Sequence, residues 1–268
     1  MAKPGYPAIV LLLLVVGACG RKEAEKEAGK EAAPAKPAFT PGEMVLVPGG
    51  EFVFGENDKE KPSYPEQKID LPAFWIDKYE VTNGEYLQYC IDASYVSEGN
   101  WRLFFSPEKV GCPVVNITWN DAVTYCQGKG KRLPTEPEWE KAARGTDGRR
   151  YPWGEKWEPS RSNTYEASMR GPVAVNTFND VSPYEVHDML GNAQEWTADW
   201  YKAYKGNTKP NKDFGERFRV LRGARWDIYG SRFRISDRSA ALPKALYGYG
   251  FRCAKDATPE EAAKAKAK

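Results

Sequence analysis

Residues 118–128 read Thr118-Trp119-Asn120-Asp121-Ala122-Val123-Thr124-Tyr125-Cys126-Gln127-Gly128, and residues 135–145 read Thr135-Glu136-Pro137-Glu138-Trp139-Glu140-Lys141-Ala142-Ala143-Arg144-Gly145. Each stretch opens with a Thr followed three residues later by an acid. The hydroxyl can accept from the backbone amide of the acid while the acid reaches back to the amide of the Thr. The pattern predicts a helix from Thr118 to about Gln127, stopped by Gly128 and Gly130, and a second one after Thr135 that ends at Gly145. A third short helix is expected after Thr82-Asn83-Gly84-Glu85, over Tyr86 to Ile91. Strands are expected at Met44-Val45-Leu46-Val47, where Pro48-Gly49-Gly50 makes the turn, at Arg219-Val220-Leu221-Arg222, and at Gly250-Phe251-Arg252-Cys253-Ala254. Between these elements Gly, Pro and Trp are frequent and long periodic apolar runs are few. That favours an irregular α+β fold over a helix bundle or a doubly wound sheet.

The chain has 268 residues, 41% of them hydrophobic and 28% charged, ample for a sizeable core. Lys+Arg 39 against Asp+Glu 37 gives +2, and no basic face for nucleic acid is implied. A mean hydropathy of −0.66 excludes a multi-span membrane protein. His187 is the single histidine. Three-histidine sites and two-histidine-one-carboxylate iron sites are therefore impossible within one chain, and a Ser-His or Cys-His engine would have to use that one residue.

The two ends differ from the middle. Lys3 precedes an apolar run from Ala8 to Val16, too short for a membrane span but suited to a secretory signal. Val16-Gly17-Ala18-Cys19 resembles the bacterial lipobox, in which the Cys thiol is diacylated, so residues 1–19 read as a lipoprotein signal and Cys19 as the lipidation site. Residues 20–38 are a charged Ala/Lys/Glu/Pro tether that cannot bury enough surface to order itself. The folded domain is expected over 39–254, with a net charge of about −1, and 255–268 as a disordered Ala/Lys/Glu tail. The expected location is the periplasmic face of a membrane, the outer one favoured because Gly20 follows Cys19. With Cys19 set apart, Cys90, Cys112, Cys126 and Cys253 remain, an even number that fits disulfides in an oxidising compartment. Three pairings are open at this point.

Seven blocks of the domain, taken in order, resemble the formylglycine-generating, sulfatase-modifying-factor family. They are Met44 to Phe52, Glu80-Val81-Thr82-Asn83, Pro113 to Gly145, Tyr151-Pro152-Trp153-Gly154, Asp188-Met189-Leu190-Gly191-Asn192-Ala193-Gln194-Glu195-Trp196, Arg219 to Gly223, and Gly250-Phe251-Arg252-Cys253. The resemblance implies a C-type-lectin-like α+β fold with little regular secondary structure. It also implies a Cys126–Cys253 disulfide, which leaves Cys90 to pair with Cys112, and a calcium site at Asp188, Gly191, Ala193 and Glu195. There the two acids would supply carboxylates and the other two residues backbone carbonyls. A second family calcium site would use Asn163 and Thr164, but its acidic-glycine loop looks missing around Ala167 to Gly171.

Active members of the family look like copper enzymes, with two cysteines a few residues after a Gly-Gly-Ser-Trp/Tyr motif. Soft thiolates suit Cu(I). Here the motif is Gly223-Ala224-Arg225-Trp226, and no cysteine occurs between Cys126 and Cys253. Copper is therefore not expected, and no catalytic residue is assigned. Three functions compete. The first is a non-catalytic lipoprotein, held to the membrane by its lipid, that binds or assembles with an envelope protein or peptide. The second is a formylglycine-generating oxidase acting on a sulfatase cysteine. The third is altered chemistry around Arg225, Asp227, Tyr229 and Asp237. The first is favoured.

Overall fold

Both expected Thr-led boxes close into helices, and Thr82 with Glu85 makes a third. In a computed structural model, which describes residues 39–266, Thr82, Thr118 and Thr135 cap α1 (Asn83–Asp92), α2 (Trp119–Gly128) and α3 (Glu136–Arg144). In each, the Thr hydroxyl accepts from the third amide and the acid accepts from the amide of the cap. Helix α1 starts three residues earlier than expected because Thr82 is itself the cap, which draws Asn83 and Gly84 into the first turn. Gly145 ends α3 at φ 71°, a left-handed conformation that a side chain would strain. Residues 1–38, with the signal, Cys19 and the tether, lie outside the described residues.

The strands are short and form three small sheets. β1 (Met44–Val47), β4 (Phe74–Asp77) and β9 (Ala254–Asp256) make one, and β2 (Gly50–Phe54) with β3 (Gln67–Leu71) a second. The third runs β7 (Arg238–Ala241), β6 (Arg219–Arg222), β5 (Gln194–Trp200), β8 (Tyr249–Gly250). All pairings are antiparallel except β5 with β8. The expected strand over Gly250–Ala254 is interrupted. Its ends enter two different sheets as β8 and β9, and Phe251, Arg252 and Cys253 between them are buried.

Two large apolar cores and a smaller cluster of Phe52, Phe54 and Tyr204 fill the space between these elements. One gathers Tyr86, Trp101, Tyr125, Trp196 and Phe251 beneath α1 and α2, and the other gathers Val47, Phe74, Trp139, Leu190 and Ile235 around α3. Large aromatic rings supply much of the buried apolar area. Charges hold α3 in place as well. Arg222 on β6 pairs with Glu140, Arg144 reaches the same carboxylate at 2.7 Å, and Arg238 meets Glu136 at 2.6 Å. Each of these side chains is at most 6% exposed, so a lost partner would leave an uncompensated buried charge.

Cys126 and Cys253 form a disulfide between the end of α2 and the segment leading into β9. It closes a sequence separation of 127, for which loop entropy assigns about 5 kcal/mol. The expected Cys90–Cys112 bridge is not formed, and both thiols are free and buried. The carbonyl of Cys112 accepts from Asn83 in the first turn of α1, whereas Cys90 lies two turns further along that helix. Seven residues of helix rise span roughly 10 Å, beyond the reach of a disulfide.

The expected disordered tail is corrected too. Lys255 and Asp256 belong to β9, and α4 (Pro259–Lys266) follows. Thr258 and Glu261 make a fourth box, with Glu261 accepting from the Thr258 amide at 2.7 Å. Pro259 then stands where a helix tolerates it, and alanines fill the body. None of the described helices is long and apolar enough to cross a membrane. Thiol titration of the denatured, unreduced Cys19→Ser chain is expected to find two thiols per molecule, while none would restore the second bridge.

Candidate functional site

Residues 188–195 form a tight turn that runs into β5. Asp188, Gly191 and Asn192 all have positive φ, at 57°, 118° and 58°. A Cβ on Gly191 would stand 2.6 Å from the carbonyl of Asn163, so this position requires glycine. Buried acids hold the turn by its amides. Glu80 accepts from the Ala193 amide at 2.8 Å and from Asn192 Nδ2 at 2.6 Å. Asp180 Oδ2 accepts from the Leu190 amide at 2.6 Å, and Asp188 Oδ2 from the Asn176 amide at 2.8 Å. Burial pushes the Glu80 and Asp180 carboxyls well above the usual range, and the neighbouring Asp188 charge adds to both.

Glu195 is occupied differently. Its two oxygens accept a fork from Arg252 at 2.7 and 2.8 Å, and Oε2 also accepts from Trp139 Nε1 at 2.8 Å. The other Arg252 donors go to the carbonyls of Asp77, Lys78 and His187. The structure thus brings Asp188, Gly191, Ala193 and Glu195 into one turn but binds the Glu195 carboxylate to protein donors. Among the described residues no three of His, Cys, Asp and Glu group in a way that could hold a metal ion. As a calcium set these four residues fit poorly, because Ca²⁺ needs six to eight oxygens and its strongest ligand here is engaged.

Four residues central to this geometry, Glu80, Asn163, Asp180 and Arg252, stood outside the site expected from the sequence. Glu80 and Arg252 lay inside family-like blocks, where they served only as markers of the fold. Asn163 appeared only with the site judged incomplete, and Asp180 carried no signal at all. His187 keeps a packing role, with its ring centroid 5.0 Å from that of Tyr79. Asn116 of the Asn116-Ile117-Thr118 sequon is buried and accepts from the Gly248 amide, and Thr118 caps α2.

The segment after Gly223 is closed upon itself. Arg225, at the position of the family's serine, meets Asp227 at 2.6 Å and lays its guanidinium 4.2 Å from the Tyr247 ring centroid. Tyr247 donates to Asp227 at 3.2 Å. Tyr229 packs on Tyr165 at 4.4 Å between ring centroids. Asp237 is engaged elsewhere, accepting from Lys61 and from the Arg234 amide. Glu166 pins the next turn by accepting from the amides of Gly230 and Ser231. Burial pushes the Glu166 carboxyl up, but these bonds and the Thr164 hydroxyl outweigh it and bring it down to about 2. Arg225, Asp227 and Tyr247 form one paired cluster, and the sequence supplies no thiolate to it.

The family profile of the sulfatase-modifying factor enzyme 1-like domain matches residues 29–257. This chain belongs to that family. It is 32% identical to the inactive C-alpha-formylglycine-generating enzyme 2 of Mus musculus, over 80% of this chain and 86% of that protein. It is 30% identical to the formylglycine-generating enzyme of Bos taurus, over 82% and 76%. It is also 36% identical to a protein named serine/threonine-protein kinase pkn1 from Chlamydia pneumoniae, but spans only 40% of that protein's length. Among solved structures, PvdO from Pseudomonas aeruginosa superimposes with a TM-score of 0.65 at 25% identity, covering 82% of this chain and all of that one. The family holds both active enzymes and inactive paralogues.

The buried fork supplies a test of this geometry. Arg252→Met should leave the buried Glu195 carboxyl without its ion-pair partner and lower stability by about 3–5 kcal/mol in chemical denaturation. A loss below about 1 kcal/mol would show that the pair is not the anchor of the turn.

Proposed function

We propose that this protein is an exported, lipid-anchored, non-catalytic member of its family that binds or assembles with a protein or peptide partner in the cell envelope. The observation that carries this reading is the segment after Gly223, which has Arg225 in place of the family's serine and no cysteine to either side before Cys126 or Cys253. The family oxidase needs two soft ligands for Cu(I) beside the substrate cysteine, and this chain's residues do not provide them. Fold and chemistry separate readily, because a scaffold persists when its site is remodelled. The inactive mammalian paralogue gives this separation precedent within the family. Tyr165, Tyr229 and Tyr247, each about half exposed, offer the aromatic surface that binding faces favour.

Export and anchoring rest on Val16-Gly17-Ala18-Cys19 and the charged stretch that follows. The competing reading, a formylglycine-generating oxidase, makes a direct demand. Purified protein supplied with Cu(I), oxygen, a thiol reductant and a cysteine-containing sulfatase peptide is expected to yield no formylglycine by mass spectrometry, with an active family member converting the same peptide alongside. Catalytic conversion would reject the non-catalytic reading.

A further inference from the structure

β1 is an outer strand of its sheet, and the hydrogen bonds fix which way its backbone faces. On the β9 side the Asp77 amide donates to the Cys253 carbonyl at 2.8 Å, and on the β1 side the Lys78 amide donates to the Glu43 carbonyl at 2.9 Å. Antiparallel ladders alternate, so Ile76 and Phe74 also face β1, opposite Val45 and Val47. The amides and carbonyls of Met44 and Leu46 therefore point away from the sheet. Proteins usually blunt such an edge with a charge, a proline or a bulge. From Met44 to Val47 this edge carries none of them.

A cavity of about 670 Å³ lies along the same edge. Met44, Val45 and Leu46 line it, and the turn at 183–185 and helix α4 supply most of the rest. Successive strand residues face opposite ways. Val45, like Tyr184, packs against the core around α3, and Met44 and Leu46 stand on the other face of the sheet. A strand laid along the edge thus meets apolar side chains on both of its faces. Two cations of the lining are already paired, Lys78 with Glu43 at 2.8 Å and Lys264 with Glu260 at 2.9 Å. Exposed Glu185, also in the lining, makes no salt bridge among the described residues.

We propose that the free edge of β1 binds an extended segment of a partner protein as an added strand. Main-chain hydrogen bonds to Met44 and Leu46 hold the segment, aliphatic side chains at alternate positions enter the cavity, and a Lys or Arg pairs with Glu185. An unfolded segment is the fitting occupant. A two-fold contact presents the same patch from both sides, so β1 of a second copy would bring its own α4 and 183–185 turn against these walls. The inference rests on the reading of this protein as a binding protein, which the formylglycine assay tests separately.

The probe is a fluorescein-labelled peptide of alternating valine and threonine flanked by arginines, titrated into the Cys19→Ser protein and followed by anisotropy. Saturable binding is expected. A copy of the peptide N-methylated at every internal amide, which has no main-chain donors there, should not bind. A copy with glutamates for the arginines should bind about threefold more weakly. Leu46→Pro removes an amide that the β4 ladder does not use, a change that edge strands tolerate, and should weaken binding about tenfold. Hydrogen exchange by NMR needs no variant. Bound peptide should slow exchange of the Met44 and Leu46 amides about tenfold. No binding to wild type, binding kept by the N-methylated or acidic copy or by a folded Leu46→Pro, or unchanged exchange at Met44 and Leu46 overturns the proposal. So does a wild-type dimer in sedimentation that Leu46→Pro dissolves, which assigns the edge to a second copy.

Discussion

Arg252 sits where the chain crosses between two sheets, and its guanidinium binds Glu195 on β5 while collecting carbonyls from Asp77, Lys78 and His187. Trp139 of α3 donates to the same carboxylate. A single buried ion pair therefore joins the end of β4, the turn before β5, helix α3 and the segment between β8 and β9. Both partners are almost fully excluded from water, so neither can lose the other without a large penalty. This explains how a domain with strands of two to seven residues holds one arrangement. The sheets are too small to define it alone, and the disulfide one residue along, at Cys253, fixes the same crossing covalently.

The loop after Gly223 hangs from this frame without belonging to it. β6 ends at Arg222, which is locked into the Glu140 and Glu136 carboxylates. Beyond it, Arg225, Asp227 and Tyr247 pair with one another. Such an arrangement lets the loop change chemistry while the strand before it stays in place. A family whose members include oxidases and inactive paralogues is what that division would produce.

Much of the fold was legible because the information was local. The Thr-x-x-acid boxes at Thr82, Thr118 and Thr135 specify caps within four residues, and all three formed. The same rule would have found α4 from Thr258 and Glu261, but the Ala/Lys/Glu composition around them masked it. What stayed hidden was non-local. Cys90 and Cys112 look like a spare pair until α1 separates them along its length. Glu195 looks like a free carboxylate until Arg252, 57 residues later, folds back on it. Asp180 and Glu80 gain their meaning only from amides 10 and 113 residues away.

We propose that this chain retains the family's frame without a pair of soft ligands for copper after Gly223. Anaerobic Cu(I) titration of the folded Cys19→Ser protein against a competing chromogenic chelator addresses it directly. The chelator is expected to keep the copper, with no stoichiometric transfer to the protein. One tightly held Cu(I) per molecule would contradict it, because ligands would then exist that the loop from Gly223 to Arg232 does not contain.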